Sequence, residues 1–393
     1  MPEDSNLFDR MCDCAVTRPN AEQAGRIANW KIGEADWATF VNLAEFHGVL
    51  PLAVRNLTQF ANALPDDLRP LLQALSDGNL RRSLWFAAEL IRILGYFRQE
   101  GIRVVPYKGP VLAQAAYGDT ALRGFTDLDL LIAPADLDRA KLVLAKCGYW
   151  PSKEFSPAVE RLFLRTGYEI SFDCRDAKNL VELQWRLLPP LYAVDRRSGE
   201  FAVEDLLARA GTIELCGAQV PCLSPEDSLL AVCVHAAKHL WTRLLWVADT
   251  AEIVRAPGID FATVAKRARA LGVARIVGVS LGLAQKLLGC EVPAAARTLT
   301  SRDPEEAKLS DEFAQRLRQR AGYNFESTAY FRMIWNLRER NSDRWRYLWR
   351  LLWTPGPGDV AAVALPETLF PLYRVVRLGR LMPRLLGMNH RNQ

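Results

Sequence analysis

The sequence has no run of about 18 uninterrupted apolar residues, the length a helix needs to cross a bilayer. No membrane span is therefore expected. The start, Met1-Pro2-Glu3-Asp4-Ser5, lacks a basic segment leading into an apolar one, so no signal peptide is expected. Apart from the C-x-C of Cys12 and Cys14, the eight cysteines are scattered, and no second pair stands at zinc-ligand spacing. That spacing argues against a disulfide framework. It predicts free, buried thiols in a reducing cytoplasm. The G-x-x-x-x-G-K-[ST] phosphate loop is absent, and so is any internal repeat. Charge of one sign is only mildly in excess, at +5 over 393 residues. This suits an anionic substrate but does not by itself mark a nucleic-acid binder.

What is present is a normal globular balance, with 50% hydrophobic and 24% charged residues. The length allows two or three domains. Residues 1–100 read as a helical region, with Trp37, Phe40, Val41, Leu43 and Ala44 at helical spacing. Leu84, Ala87, Ala88, Ile91 and Leu94 form a second such stripe. Pro65 and Pro70 punctuate a loop, and Gly101 ends the last helix.

The texture changes over 101–190. Ile102 to Tyr107 reads as a strand, Lys108-Gly109-Pro110 as a sharp turn, and Val111 to Tyr117 as a short helix. Asp127 to Ala133 is a second strand and Pro134 to Gly148 a helix. Tyr168 to Cys174 and Leu180 to Leu187 are two neighbouring strands. The order implies an α+β fold with a small mixed β-sheet between helical N-terminal and C-terminal regions. A helical domain over 191–328 is expected to close a cleft. It holds a strand pair near Thr212 and Val220, and Ser224 caps a long helix running to Leu245. Ser301 to Asp311 reads as a charged linker. Residues 329–393 form a basic, aromatic tail.

The chemistry concentrates in Thr126-Asp127-Leu128-Asp129-Leu130-Leu131-Ile132. On a strand, residues i and i+2 share a face, so Asp127 and Asp129 project together. Paired carboxylates repel unless a cation neutralises them. A hard divalent ion such as Mg²⁺, carried with phosphates, is the natural partner. Lys108 and Gly109 open a helix, where the backbone can approach a phosphate. Arg123 could hold phosphate oxygens bidentately. Glu182, in Val181-Glu182-Leu183-Gln184-Trp185, could complete a metal site or act as general base. Glu169 and Asp173 are its rivals.

These residues resemble the bacterial "uncharacterised nucleotidyltransferase" family of the polymerase-beta-like superfamily. The resemblance runs through Val105-Pro106-Tyr107-Lys108-Gly109-Pro110, Tyr117-Gly118-Asp119, Arg123, the Asp-x-Asp strand and Gly148-Tyr149. It covers roughly residues 30 to 330. Gln184 stands where the family usually has His, and Gly109-Pro110 where the superfamily has Gly-Gly or Gly-Ser. The resemblance implies that Asp127, Asp129 and Glu182 hold two Mg²⁺ ions on an NTP. It also implies attack on the α-phosphate by an unknown hydroxyl acceptor, with pyrophosphate leaving.

His235 and His239 stand four apart, but Ala236 occupies the place where a metalloprotease needs Glu. Lys238, His239 and Arg243 are therefore expected to line the cleft and touch triphosphate or base, and the family carries a similar run. Trp345 and Trp349, with Arg346 and Arg350, fall four apart on a helix of the tail. Core packing of the tryptophans is the expected meaning, with RNA, a lipid surface or a partner protein as the alternatives. Two rival functions fit the same residues. One is a non-catalytic nucleotide-binding or regulatory protein, and the other an RNA-binding protein using the tail.

Overall fold

The computed structural model describes residues 2–385 apart from 31–33, 63, 67, 155, 176, 193, 195–200, 301–303, 323 and 325–326. Five helices come first: α1 (Pro2–Cys14), α2 (Ala21–Ala28), α3 (Glu34–Phe46), α4 (Leu50–Phe60) and α5 (Leu68–Gln99). The sheet region follows, with β1 (Val104–Pro106), α6 (Gly109–Leu112), β2 (Leu128–Ile132), α7 (Leu137–Lys146), β3 (Trp150–Pro151), α8 (Pro157–Thr166), β4 (Glu169–Cys174) and β5 (Ala177–Gln184). Then come α9 (Val203–Arg209) and the hairpin β6 (Gly211–Leu215) and β7 (Ala218–Cys222). The remaining helices are α10 (Pro225–Lys238), α11 (Leu244–Arg255), α12 (Phe261–Leu271), α13 (Ala274–Leu288), α14 (Arg297–Thr300), α15 (Pro304–Arg318), α16 (Thr328–Leu337), α17 (Asn341–Trp353), α18 (Pro357–Ala362) and α19 (Tyr373–Leu385).

The five strands make one mixed sheet in the order β1-β2-β5-β4-β3. Only β2 and β5 run parallel, and the other neighbours are antiparallel. This is the α+β arrangement that the element order implies. Period-two alternation sets its faces. Leu128, Leu130 and Ile132 join Val181, Leu183, Ile170 and Phe172 in a core under α5 and α7. Burying each such side chain contributes about 1.5–3 kcal/mol. The opposite face carries Asp129, Glu182 and Gln184. A second core joins α1 to α4 with the helices from α10 to α17, so helices before and after the sheet pack into one body of apolar side chains.

Four expectations change. The buried stripe of α5 is Phe86, Ala87, Leu90, Ile93, Leu94 and Phe97, while Leu84 lies exposed. The sheet lies along a row one position off the expected stripe. The helix opened by Ser224 does not continue to Leu245. It stops at Lys238, and Leu240 and Trp241 take left-handed backbone at φ 49° and 47°. Such conformations are costly for side chains of this size. The break persists because it buries both residues completely and sets Trp241 against Phe313 at 4.9 Å. The stretch read as a charged linker is helix α15 from Pro304 onward, with Glu306 and Leu309 buried. Finally, Trp345, Trp349 and Trp353 of α17 are exposed, and Tyr347 and Leu351 form its buried face.

His47 shows how the second core holds a titratable group. The Leu244 amide donates to its Nδ1 at 3.2 Å. Burial, helped by the Arg320 and Arg243 charges, pushes its pKa down to about 3. The unfolded chain protonates this group near 6.5, and the folded chain does not until about pH 3. Its contribution is therefore present above pH 6.5 and lost as pH falls, by about 1.4 kcal/mol per unit. Urea unfolding of wild type and His47→Gln between pH 6.5 and 4.5 should show the wild type losing about 2–3 kcal/mol more. Parallel curves would contradict a neutral, buried His47.

Candidate active site

Asp129 and Glu182 lie side by side because the parallel β2–β5 register pairs Asp129 with Glu182 and Leu131 with Gln184. Asp127, two residues before Asp129, shares their face. Glu169 of β4 pairs with Gln184 across the next strand boundary. All four carboxylates line one cleft of about 1390 Å³. Asp173, the other rival to Glu182, lies toward the β3 edge and bonds Ser152.

The carboxylates crowd one another. Burial and repulsion from Asp129 push Asp127 up to about 6, against the opposing pull of Lys108. Burial, then Asp129 and Glu169, push Glu182 up to about 8. Asp129 itself is 1% exposed. Its Oδ1 accepts from Lys108 Nζ at 2.7 Å and from Gln184 Nε2 at 3.0 Å. Its Oδ2 is buried without a hydrogen-bond partner among the described residues. Gln184 Nε2 also stands 3.2 Å from Glu169 and 3.2 Å from Glu182. One amide nitrogen carries two hydrogens, so three carboxylates share them. The Tyr107 hydroxyl donates to Gln184 Oε1 at 2.9 Å, which fixes the amide's orientation. With an amide at their centre, the acids are held apart. Among the described residues, no three His, Cys, Asp or Glu side chains gather closely enough to enclose a metal ion.

Lys108 leaves β1 at the mouth of α6. Burial pulls its ammonium down, but Asp129 and Asp127 together hold it above its ordinary value. The turn after it needs glycine. Gly109 has φ +62°, and a Cβ there would stand 3.3 Å from the Asp127 carbonyl oxygen. The helical wall faces this strand end. Lys238 Nζ donates to the Tyr168 hydroxyl at 2.9 Å. Burial and the Lys108 charge hold Lys238 below its usual pKa, with Glu169 opposing. His239 stacks on Trp246 at 4.9 Å, and burial beside Lys238 pushes it down to about 2. Arg243 is exposed at the rim, over the Phe46 ring. The helix break at Leu240 and Trp241 is what turns His239 and Arg243 toward the same cleft.

The profile of the family described as "Uncharacterised nucleotidyltransferase" matches residues 33–289. The chain belongs to this family. No curated protein and no solved structure matches it. Membership assigns a general role in nucleotidyl transfer, and the acidic face lies within the matched span.

Arg123 lines the same cleft, but its guanidinium is engaged by a protein carboxylate. Its Nε and Nη2 donate to the two oxygens of Asp249 at 2.7 and 2.9 Å. The Tyr117 hydroxyl donates to the same carboxylate at 2.7 Å. Arg123 and Asp249 are 5% and 2% exposed. The guanidinium fork that could grip a phosphate is thus committed to joining the loop before β2 to α11. A bidentate, buried pair of this kind is a strong charge-assisted contact. Sequence reasoning also missed the third wall of the cleft. Leu50, Arg55, Thr58, Ser76, Asn79 and Arg82 from α4 and α5 line it, far from the acidic motif in sequence. Tyr168 and Trp246 were missed too, since nothing local marks an aromatic residue as facing a cleft.

Breaking the Arg123 pair leaves Asp249 buried and unpaired. Arg123→Ala should lower the free energy of urea unfolding by about 3–5 kcal/mol. At temperatures where the variant stays folded, its nucleotide affinity by calorimetry should change less than threefold, a bound of about 0.6 kcal/mol. A stable variant that loses nucleotide binding would return Arg123 to the phosphate-binding role.

Proposed function

We propose that this chain is an Mg²⁺-dependent nucleotidyltransferase. It would move a nucleoside monophosphate from an NTP to a hydroxyl acceptor in the cytoplasm, with release of pyrophosphate. The observation that carries the reading is the uncompensated Asp129 Oδ2, buried beside Asp127 and Glu182. A buried carboxylate oxygen with no donor, among further acids, fits a hard cation with oxygen ligands. Mg²⁺ takes one or two carboxylates and leaves its other positions to phosphates and water. That habit suits a site where three protein ligands are not gathered in advance. Asp127 and Asp129 would hold the ion, and Glu182 would join them for the second ion that the family resemblance implies. When bound, the metal supplies charge neutralisation on phosphate oxygens and polarisation of phosphorus.

The chain's own residues do the rest. Lys108, on Asp129 in the free protein, is a point charge within reach of the same ligand. Lys238 faces it from the helical wall, and Arg243 stands at the mouth. Together they would neutralise the triphosphate and the departing pyrophosphate. The stacked His239 and Trp246, both uncharged, offer a flat apolar flank for a base. In the reaction an acceptor hydroxyl oxygen bonds the α-phosphorus and the bond to the β-phosphate oxygen breaks. Glu182, ionised once a cation offsets the burial and the neighbouring acids that raise its pKa, accepts the hydroxyl proton. Gln184 holds Glu182 and Asp129 in register through its amide and is a positioning residue.

Incubation with α-labelled NTPs, Mg²⁺ and cell extract should transfer label to an acceptor and release pyrophosphate. Asp127→Asn and Asp129→Asn should each cut transfer roughly a hundredfold or more. Undiminished transfer in both variants ends this reading. Nucleotide binding without transfer in any extract would favour the non-catalytic alternative.

A further inference from the structure

The positive charge of this protein is concentrated at one end. Residues 329–393 contain eleven arginines, no lysine and four acidic residues, although the whole chain is only +5. Two of the acids, Asp343 and Asp359, are buried against arginines of the same region. They compensate charge inside the fold and add little to the surface.

Among the described residues of this region Arg332, Arg340 and Arg374 are exposed, and an apolar ridge runs along α17. Trp345 and Trp349 are 64% and 63% exposed, and Trp353 lies next along the same helical row. Three residues at intervals of four span about 12 Å of helix. Trp335 meets Trp345 edge-on at 5.5 Å, and Trp349 stacks on Trp353 at 5.4 Å. The Arg374 guanidinium sits over the Trp353 ring and carries the surface onto α19. There Val375 is also exposed, as are Leu369 and Leu372 in the turn just before it. Packing fixes the orientation of the ridge. Tyr347 on the opposite side of α17 stacks on Tyr192, and Arg350 Nη1 donates to the Pro190 carbonyl at 2.8 Å. The helix cannot turn its tryptophans inward without losing both contacts.

We propose that the Trp345–Trp349–Trp353 ridge and the adjoining face of α19 form a docking surface for an anionic lipid bilayer. Tryptophan is favoured at the level of the lipid headgroups, where its ring is half in hydrocarbon and half in water. Arginines with apolar neighbours on amphipathic helices attract anionic headgroups while the apolar side chains insert. The exposed aliphatic residues decide against single-stranded nucleic acid, because Leu369, Leu372 and Val375 can neither stack on bases nor bind phosphate. The surface is also tied to the cleft. The Tyr330 hydroxyl of α16 donates to the Lys238 carbonyl at 2.6 Å, so a docked bilayer would stand at a set orientation to the candidate active site. The proposal does not depend on which reaction the cleft performs.

The test is co-sedimentation of the full-length protein with phosphatidylcholine vesicles, alone and with about a third phosphatidylglycerol. Binding should require the anionic lipid and weaken with salt. Trp345→Ala/Trp349→Ala and, separately, Arg374→Glu should each reduce partitioning about fivefold or more. Both should leave the thermal midpoint unchanged, because the altered side chains are exposed. No binding to anionic vesicles at low salt, or undiminished binding by both variants, overturns the proposal. A single-stranded oligonucleotide that binds more tightly than vesicles, and loses affinity in the same variants, overturns it in favour of nucleic acid.

Discussion

The parallel pairing of β2 with β5 is the constraint on which the site depends. It is the one parallel pair in a sheet of antiparallel neighbours. Its register sets Asp129 beside Glu182, with Gln184 one step along the same face. A shift of one residue would turn those side chains into the core and bring Leu130 and Leu183 to the cleft. The apolar core under α5 and α7 forbids that shift, so burial of leucines on one face fixes the placement of acids on the other.

The acids would repel one another without the groups set among them. Lys108 bonds Asp129, and the Gln184 amide is shared by Asp129, Glu169 and Glu182. The amide lends only partial positive charge, and burial, together with the repulsion that remains, raises the pKa values of Asp127 and Glu182. The Asp129 Oδ2, buried without a hydrogen-bond partner among the described residues, is the atom of this cluster that the protein leaves unsatisfied.

The helical wall is built with strain in the right place. The left-handed Leu240 and Trp241 end α10 at the point where Lys238, His239 and Arg243 meet the cleft. The cost is offset by burial of Trp241 in the core that joins the first helices to the last. Because that core includes α1 to α4, the residues of α4 and α5 that line the far side of the cleft are held by the same packing.

Much of this was legible in the sequence. The apolar alternation around Asp127 and Asp129, the Lys108-Gly109 turn, the paired strands carrying Glu169 and Glu182, and the Ser224 cap are local patterns, set by backbone geometry within a few residues. The sequence alone therefore determined the α+β order and the shared face of the two aspartates. Tertiary structure decided what each charged or aromatic side chain meets. Arg123 finds Asp249 across 126 positions, and Gln184 gathers acids from three strands. The tryptophans of α17 face out because Tyr347 and Leu351 take the inner row. Periodicity tells which residues share a face. It cannot tell which face the rest of the chain will cover, because that depends on contacts between segments distant in sequence.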